Sequence, residues 1–171
     1  MHLLHLLRHA KSSWKDDVDD HERRLSRRGR EAARLVAQHL PAALGKLDLI
    51  LCSSAVRTRE TLELVVIGFP ERPPYLVEDD LYLAECGQLI ARLRRLDESF
   101  SNVLLIGHNP GLHQLAIALA EPSPLARSIS NKFPTLARAS YRIGTEWSRI
   151  GDVRHRLIDY ATPLSLSERS D

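Results

Sequence analysis

Aromatic residues are scarce in this sequence. Nine of its 171 residues, 5%, are Phe, Trp or Tyr. A protein that stacks nucleobases needs such rings, so the composition argues against a base-stacking nucleic-acid binder. Excess charge is also small. A formal net charge of +2 does not by itself imply a nucleic-acid partner or a membrane surface. The two cysteines, Cys52 and Cys86, make neither a disulfide framework nor a zinc spacing. That usage fits a reducing cytoplasm. No apolar run is long enough to span a bilayer. The opening MHLLHLLRH is apolar but short. It lacks a basic leader and a small-residue cleavage site, so it is not read as a signal peptide.

What is present is a hydrophobic share of 43% in a chain of single-domain length. Short apolar runs alternate with helix-like stretches, which is the pattern of an α/β fold. The runs are residues 2–7, 47–52 and 103–107. Their continuity predicts strands buried on both faces of a mostly parallel sheet. Two later strands are expected near 137–143 and 156–160. Ser26 is placed to cap a helix reaching about Leu40, with Ala33, Val36 and Leu40 on one face. Further helices are expected over about 55–66, through Leu89, Leu93 and Leu96, and after Pro110. Residues 68–74 and 121–134 read as Pro-bearing loops. The whole reads as one domain over 1–163, followed by a polar, mobile tail over 164–171.

Position carries the functional signal. Each of the three buried-strand candidates ends in polar or ionisable residues just before a helix or loop. Ligands of open α/β sheets bind at those carboxyl ends. Arg8, His9, Arg57 and His108 are therefore expected to converge on one pocket. Two arginines and two histidines with no nearby acid specify an anionic ligand such as phosphate. A neutral imidazole is a competent nucleophile toward phosphorus, because its lone pair needs no base to free it. Neighbouring cations help to keep it neutral.

The motifs around these residues sharpen the expectation. LRHAKSSW, from Leu7 to Trp14, resembles the signature of the SixA-type phosphohistidine phosphatases, a short-chain branch of the histidine phosphatase superfamily. DHERRLSRRG, from Asp20 to Gly29, is similar to their D-x-x-R-P-L-x-x-R-G, with Arg24 in place of the proline. SSAVRTRETLEL resembles the stretch that holds their second phosphate arginine, here Arg57. LYLA, LIGHNPGL and KFPTLARA follow in the family's order, the second placing His108. Each motif alone is weak; the ordered set is specific.

The resemblance implies a three-layer α/β/α sandwich of the phosphoglycerate mutase-like type. It implies a phosphatase that forms a phosphohistidine enzyme intermediate on His9, with Arg8, Arg57 and His108 on the non-bridging oxygens. Lys11 and Ser12 are candidate substrate contacts beside the pocket. The expected substrate is phosphohistidine in a signalling protein, with no cofactor, no metal, no nucleic acid and no membrane. The alternatives are a small-molecule phosphate monoesterase of the same superfamily and a non-catalytic phosphate-binding module.

The leaving-group acid is missing from the motifs. Asn109 follows His108, where many superfamily members place an acid. Glu85 is the candidate, set against a plainer role as a solvated helix-start glutamate. A P–N bond tolerates the gap, because the leaving imidazole can take a proton from water; an alkyl phosphate does not.

Other features read as structural. Cys52 has four residues before Arg57 and six before Arg59, whereas a thiolate phosphate loop needs five. It is read as a small buried strand residue. The Arg23–Arg34 basic cluster reads as a solvated helix face. Trp14 and Trp147 are expected to pack. His113 is off helical zinc spacing from His108. His2, His5, His21, His39 and His155 receive no role.

Overall fold

The three continuous apolar runs form the centre of one sheet. In the computed structural model, which describes residues 1–168, they are β1 (His2–Arg8), β2 (Leu49–Ser53) and β4 (Asn102–Gly107). With β3 (Tyr75–Glu78), β5 (Arg138–Ile143) and β6 (Arg156–Ala161), they make a six-stranded sheet in the order β3-β2-β4-β1-β5-β6. The pairs β3/β2, β2/β4 and β4/β1 are parallel; β1/β5 and β5/β6 are antiparallel.

The period of two along each central strand divides the core. Leu4, Leu6, Leu49, Leu51, Val103 and Leu105 face one way. Leu7, Ile50, Cys52, Leu104 and Ile106 face the other. Apolar side chains on both faces demand a helical layer on each. α1 (Arg27–Leu44) and α2 (Val56–Val66) cover the second face, and α3 (Cys86–Leu93), α4 (Gly111–Leu119) and α5 (Pro124–Asn131) cover the first. Truncating one of these buried leucines to alanine costs about 2–5 kcal/mol.

The Ser26 cap is present, its side chain accepting from the Gly29 amide at 3.0 Å. α1 runs one turn beyond the expected end, because Ala37, Leu40 and Leu44 continue its buried face. Gly29 has a positional reason. A Cβ there would stand 2.0 Å from the Lys11 carbonyl oxygen, so glycine lets α1 lie against the loop after β1.

Several expectations change. Residues 124–131, expected within a loop, form α5. Ser123 caps it by accepting from the Ala126 amide, and Pro124 opens its first turn. β3 was not anticipated; it is an edge strand, so Tyr75, Leu76 and Val77 remain exposed. Trp147 is fully buried, donating its indole N–H to the Phe100 carbonyl, but Trp14 is 80% exposed and does not pack in the core. The expected tail begins as a short helix, α6 (Pro163–Glu168), whose Leu166 packs against the α1 side of the core. Residues 169–171 of that tail lie outside the described residues.

Candidate active site

Three strand ends meet at one point because β4 lies between β2 and β1. β1 delivers Arg8 and then His9, β2 ends at Ser53, and β4 leads into His108. α2 starts directly after β2 and carries Arg57 in its first turn. The four residues expected to converge are thus brought together. The rings of His9 and His108 are 5.3 Å apart, centroid to centroid.

The backbone around His9 is held from three sides. Leu136 donates its amide N–H to the Arg8 and His9 carbonyls, and Arg8 donates to the Ala137 carbonyl. The Ala10 amide donates to Thr61 Oγ1, whose own hydroxyl donates to the Arg57 carbonyl one turn back in α2. The KFPTLARA stretch and the threonine of the Arg57 motif therefore lock β1 against its neighbours.

His9 is buried, and its Nδ1 lies 2.6 Å from the Ala10 carbonyl oxygen. A carbonyl only accepts, so Nδ1 carries the proton and the neutral ring keeps its lone pair on Nε2. Burial drives the pKa of His9 down to about 4. The Ala10 hydrogen bond opposes this, and the charges of Arg57, Arg8 and Arg23 add to the depression. His108 falls to about 3, through burial and then His9 and Arg57, with Asp20 opposing. Both rings are neutral at pH 7. His108 Nε2 meets Ser53 Oγ at 2.7 Å, and its buried Nδ1 has no protein partner among the described residues. Buried Arg8 Nε also lacks one; Arg8 Nη1 and Asn109 Nδ2 both donate to the Phe133 carbonyl. Burial and the nearby Arg57 lower the pKa of Arg8.

An acid is present after all, which corrects the expectation of a purely basic constellation. Asp20 stands 11 residues after His9 and 37 before Arg57, and a short 3-10 turn over Asp20–Glu22 brings it to Arg57. Arg57 donates from Nη2 to Asp20 Oδ2 at 3.0 Å and from Nη1 to the Asp20 carbonyl at 2.7 Å. Arg23 donates from Nη1 to Asp20 Oδ1 at 2.9 Å. Tyr82 donates its hydroxyl to Asp20 Oδ2, and its ring stands edge-on to His108 at 5.6 Å. Partial burial pushes the Asp20 carboxyl up, but the bonds from Tyr82, Arg23 and Arg57 outweigh it and hold it well below the usual carboxylate range.

Arg23 is likewise not part of a solvated helix face. It is buried before α1 begins, donating to the Ser13 carbonyl and to Ser12 Oγ, with its guanidinium stacked 3.2 Å from the centroid of exposed Trp14. His21 completes this rim, its Nε2 2.9 Å from Ser54 Oγ and its ring edge-on to Tyr82. Sequence reasoning assigned no role to Asp20, Tyr82, Arg23, His21 or Ser53. All five stood inside the quoted motifs, where spacing alone gave no role.

The remaining candidates separate. Ser12 sits at the rim, bound to Arg23. Lys11 has an exposed side chain, and its carbonyl takes the Ser26 amide and hydroxyl. Glu85 is exposed as the N-cap of α3, in a reciprocal capping box with Gln88. Cys52 is fully buried, and burial pushes its thiol up to about 12. That thiol is an inert packing group at neutral pH. His113 bonds the Ile129 carbonyl at 2.7 Å. Among the described residues, no three His, Cys, Asp or Glu side chains cluster as metal ligands, and no helix is long and apolar enough to cross a membrane.

Comparison with known proteins agrees with this geometry. The family model described as histidine phosphatase superfamily (branch 1) matches residues 4–116. An uncharacterised protein of Mycobacterium tuberculosis is 35% identical over 161 residues, spanning 92% of this chain and 99% of that protein. A SixA from Agrobacterium tumefaciens, assigned as a phosphohistidine phosphatase, superposes with a TM-score of 0.81 at 28% identity, covering 95% of this chain and 98% of its own. A protein histidine phosphatase SixA complexed with tungstate gives 0.78 at 26% identity, covering 96% and 99%. The sheet order, the helical layers and these likenesses make the fold phosphoglycerate mutase-like. The chain is a phosphatase that belongs to the histidine phosphatase superfamily.

Proposed function

We propose that this phosphatase removes the phosphoryl group from phosphohistidine in a protein, through a phosphohistidine intermediate on its own His9 and without a metal ion. One observation carries the reading: the pocket pairs a pre-set neutral nucleophile with a carboxylate, Asp20, that three donors hold ionised. His9 presents Nε2 to the phosphorus, already in the required tautomer. Arg8 and Arg57 supply positive charge for the non-bridging oxygens. With the Ser53 hydroxyl donating to Nε2, 2.7 Å away, the His108 proton sits on Nδ1 and is available to a phosphoryl oxygen. Water then attacks the phosphorylated His9 and releases inorganic phosphate.

The acids present do not serve an alkyl ester. Asp20 is held ionised by three donors, and Glu85 is engaged at a helix start. An alkoxide leaving group needs protonation in the transition state, worth about two to four decades in rate. An imidazole leaving group does not. The likeness to SixA proteins supports the same choice, and tungstate, a tetrahedral oxyanion like phosphate, in one of them fits a phosphoryl site.

The test is a comparison of turnover on a phosphohistidine peptide, a phosphoserine peptide and a sugar phosphate, before and after exhaustive chelation. The phosphohistidine peptide should lead by at least a hundredfold in both conditions. A lead for the sugar phosphate would favour the small-molecule reading. Loss on chelation, restored by Mg²⁺ or Zn²⁺, would sink the metal-free mechanism.

A further inference from the structure

An ionised carboxylate inside an anion pocket needs an explanation, since it opposes the binding of phosphate. Asp20 is such a group. Its Oδ2 accepts from Arg57 and Tyr82, and among the described residues its Oδ1 accepts from Arg23 alone. A carboxylate oxygen takes more than one donor, so Oδ1 has capacity left. The Asp20 side chain is 44% exposed, whereas those of Arg57 and Arg23 behind it are 4% and 9% exposed. The negative charge therefore lies on the open side of the pocket, and the buried cations lie behind it.

We propose that Asp20 is a specificity residue, whose carboxylate receives the N–H of the substrate's imidazole ring and holds that ring protonated while the P–N bond breaks. The proposal rests on the phosphohistidine reading above. Phosphohistidine protonated on its free ring nitrogen places an anionic phosphoryl group beside a cationic ring. The pocket offers the matching pair, arginines for the phosphoryl oxygens and Asp20 for the ring. In the step, His9 Nε2 forms the new N–P bond and the substrate's P–N bond breaks. The electron pair of that bond returns to the substrate ring. The ring leaves as neutral imidazole, because its other nitrogen already holds the proton. Asp20 accepts a hydrogen bond throughout and gives up no proton. An ester substrate brings no such donor, so the carboxylate acts on it only as a repelling charge.

Asp20→Asn keeps the shape and removes the charge. The measurement is kcat/KM on a phosphohistidine peptide and on an aryl phosphate, with a melting curve to confirm folding. Hydrogen bonds to charged groups are worth enough to expect a drop of about ten- to a hundredfold in the ratio of the two, phosphohistidine over aryl phosphate. An equal fall on both substrates would make Asp20 only a support for Arg57 and overturn the proposal; an unchanged ratio with unchanged rates would overturn it too. A second measurement uses the wild-type protein alone, on phosphoimidazole and its N-methyl derivative, which lacks the N–H. After correction for their uncatalysed rates, the N–H compound should lead by about tenfold or more. Equal turnover of the two would refute the role of Asp20 while leaving the phosphohistidine reading standing. No turnover of any P–N substrate by the wild-type protein would overturn both.

Discussion

The protonation of His9 is open to direct titration. Burial, reinforced by Arg57, Arg8 and Arg23, holds its pKa near 4 rather than 6.5. At pH 5, a histidine with a pKa of 4 is roughly 90% neutral, whereas one at the ordinary value is roughly 3% neutral. The pool of competent nucleophile therefore differs about thirtyfold at that pH. Long-range ¹⁵N–¹H correlation spectra of the labelled protein report both ring nitrogens and assign the tautomer. They should show a neutral ring protonated on Nδ1 down to about pH 5, with its midpoint near 4. Phosphoenzyme formation from a saturating aryl phosphate should keep its rate over the same range, apart from the ionisation of the substrate. A midpoint near 6.5, or a ring protonated on Nε2, would refute the reasoning, because the lone pair would then be titrated away or turned from the phosphorus. Stability follows with a definite sign. The folded pKa values of His5, His9 and His108 lie below their unfolded value of 6.5, so between about 4 and 6.5 the unfolded chain binds more protons. The fold is most stable with respect to these groups above pH 6.5 and loses stability as pH falls from there toward 4.

Three substitutions extend the test. Glu85→Gln should change phosphohistidine turnover by less than about tenfold, since a helix-cap glutamate supplies no proton to the reaction; a loss of about two decades or more would make it the acid. Cys52→Ser should lower stability by about 1–3 kcal/mol in a denaturant melt and leave the chemistry intact. Complete inactivation of a folded Cys52→Ser protein would revive a thiolate mechanism. Gly111→Ala sets a Cβ 1.9 Å from the Ala84 carbonyl oxygen, so the start of α4 must shift; a loss of about 1–3 kcal/mol is expected, and wild-type stability would contradict that close approach.

Much of the site was legible in the sequence because strands announce their ends. Three apolar runs stop at Arg8–His9, at Ser53 and at His108, and parallel pairing places those stops side by side. Arg57 followed from its place one turn beyond β2. The missed residues lie where no period operates. The loop over 9–26 has neither helical nor strand repeat, and its path is set by bonds that only the folded chain makes: Ser26 to the Lys11 carbonyl, Arg23 to the Ser13 carbonyl, Arg57 to Asp20. Asp20 therefore looked remote from a pocket it borders. Arg23 looked like one of several surface arginines because composition does not reveal which member of a charge run turns inward. Trp14 was misjudged for the converse reason, since its ring covers a guanidinium at the surface instead of joining the core. α5 did carry a local signal, Ser123 followed by Pro124, but the three prolines between 121 and 134 masked it.

The central claim is that His9 itself carries the phosphoryl group. Rapid acid-free quenching of the enzyme turning over a ³²P-labelled phosphohistidine peptide, followed by peptide mapping, tests it most directly. The account predicts label approaching one phosphoryl group per chain, stable to alkali and lost in acid, on the peptide containing His9. His9→Ala should stay folded, carry no label and retain less than about a hundredth of the wild-type kcat. Label on Cys52, on a serine or on another histidine would contradict the account, as would continued turnover by His9→Ala.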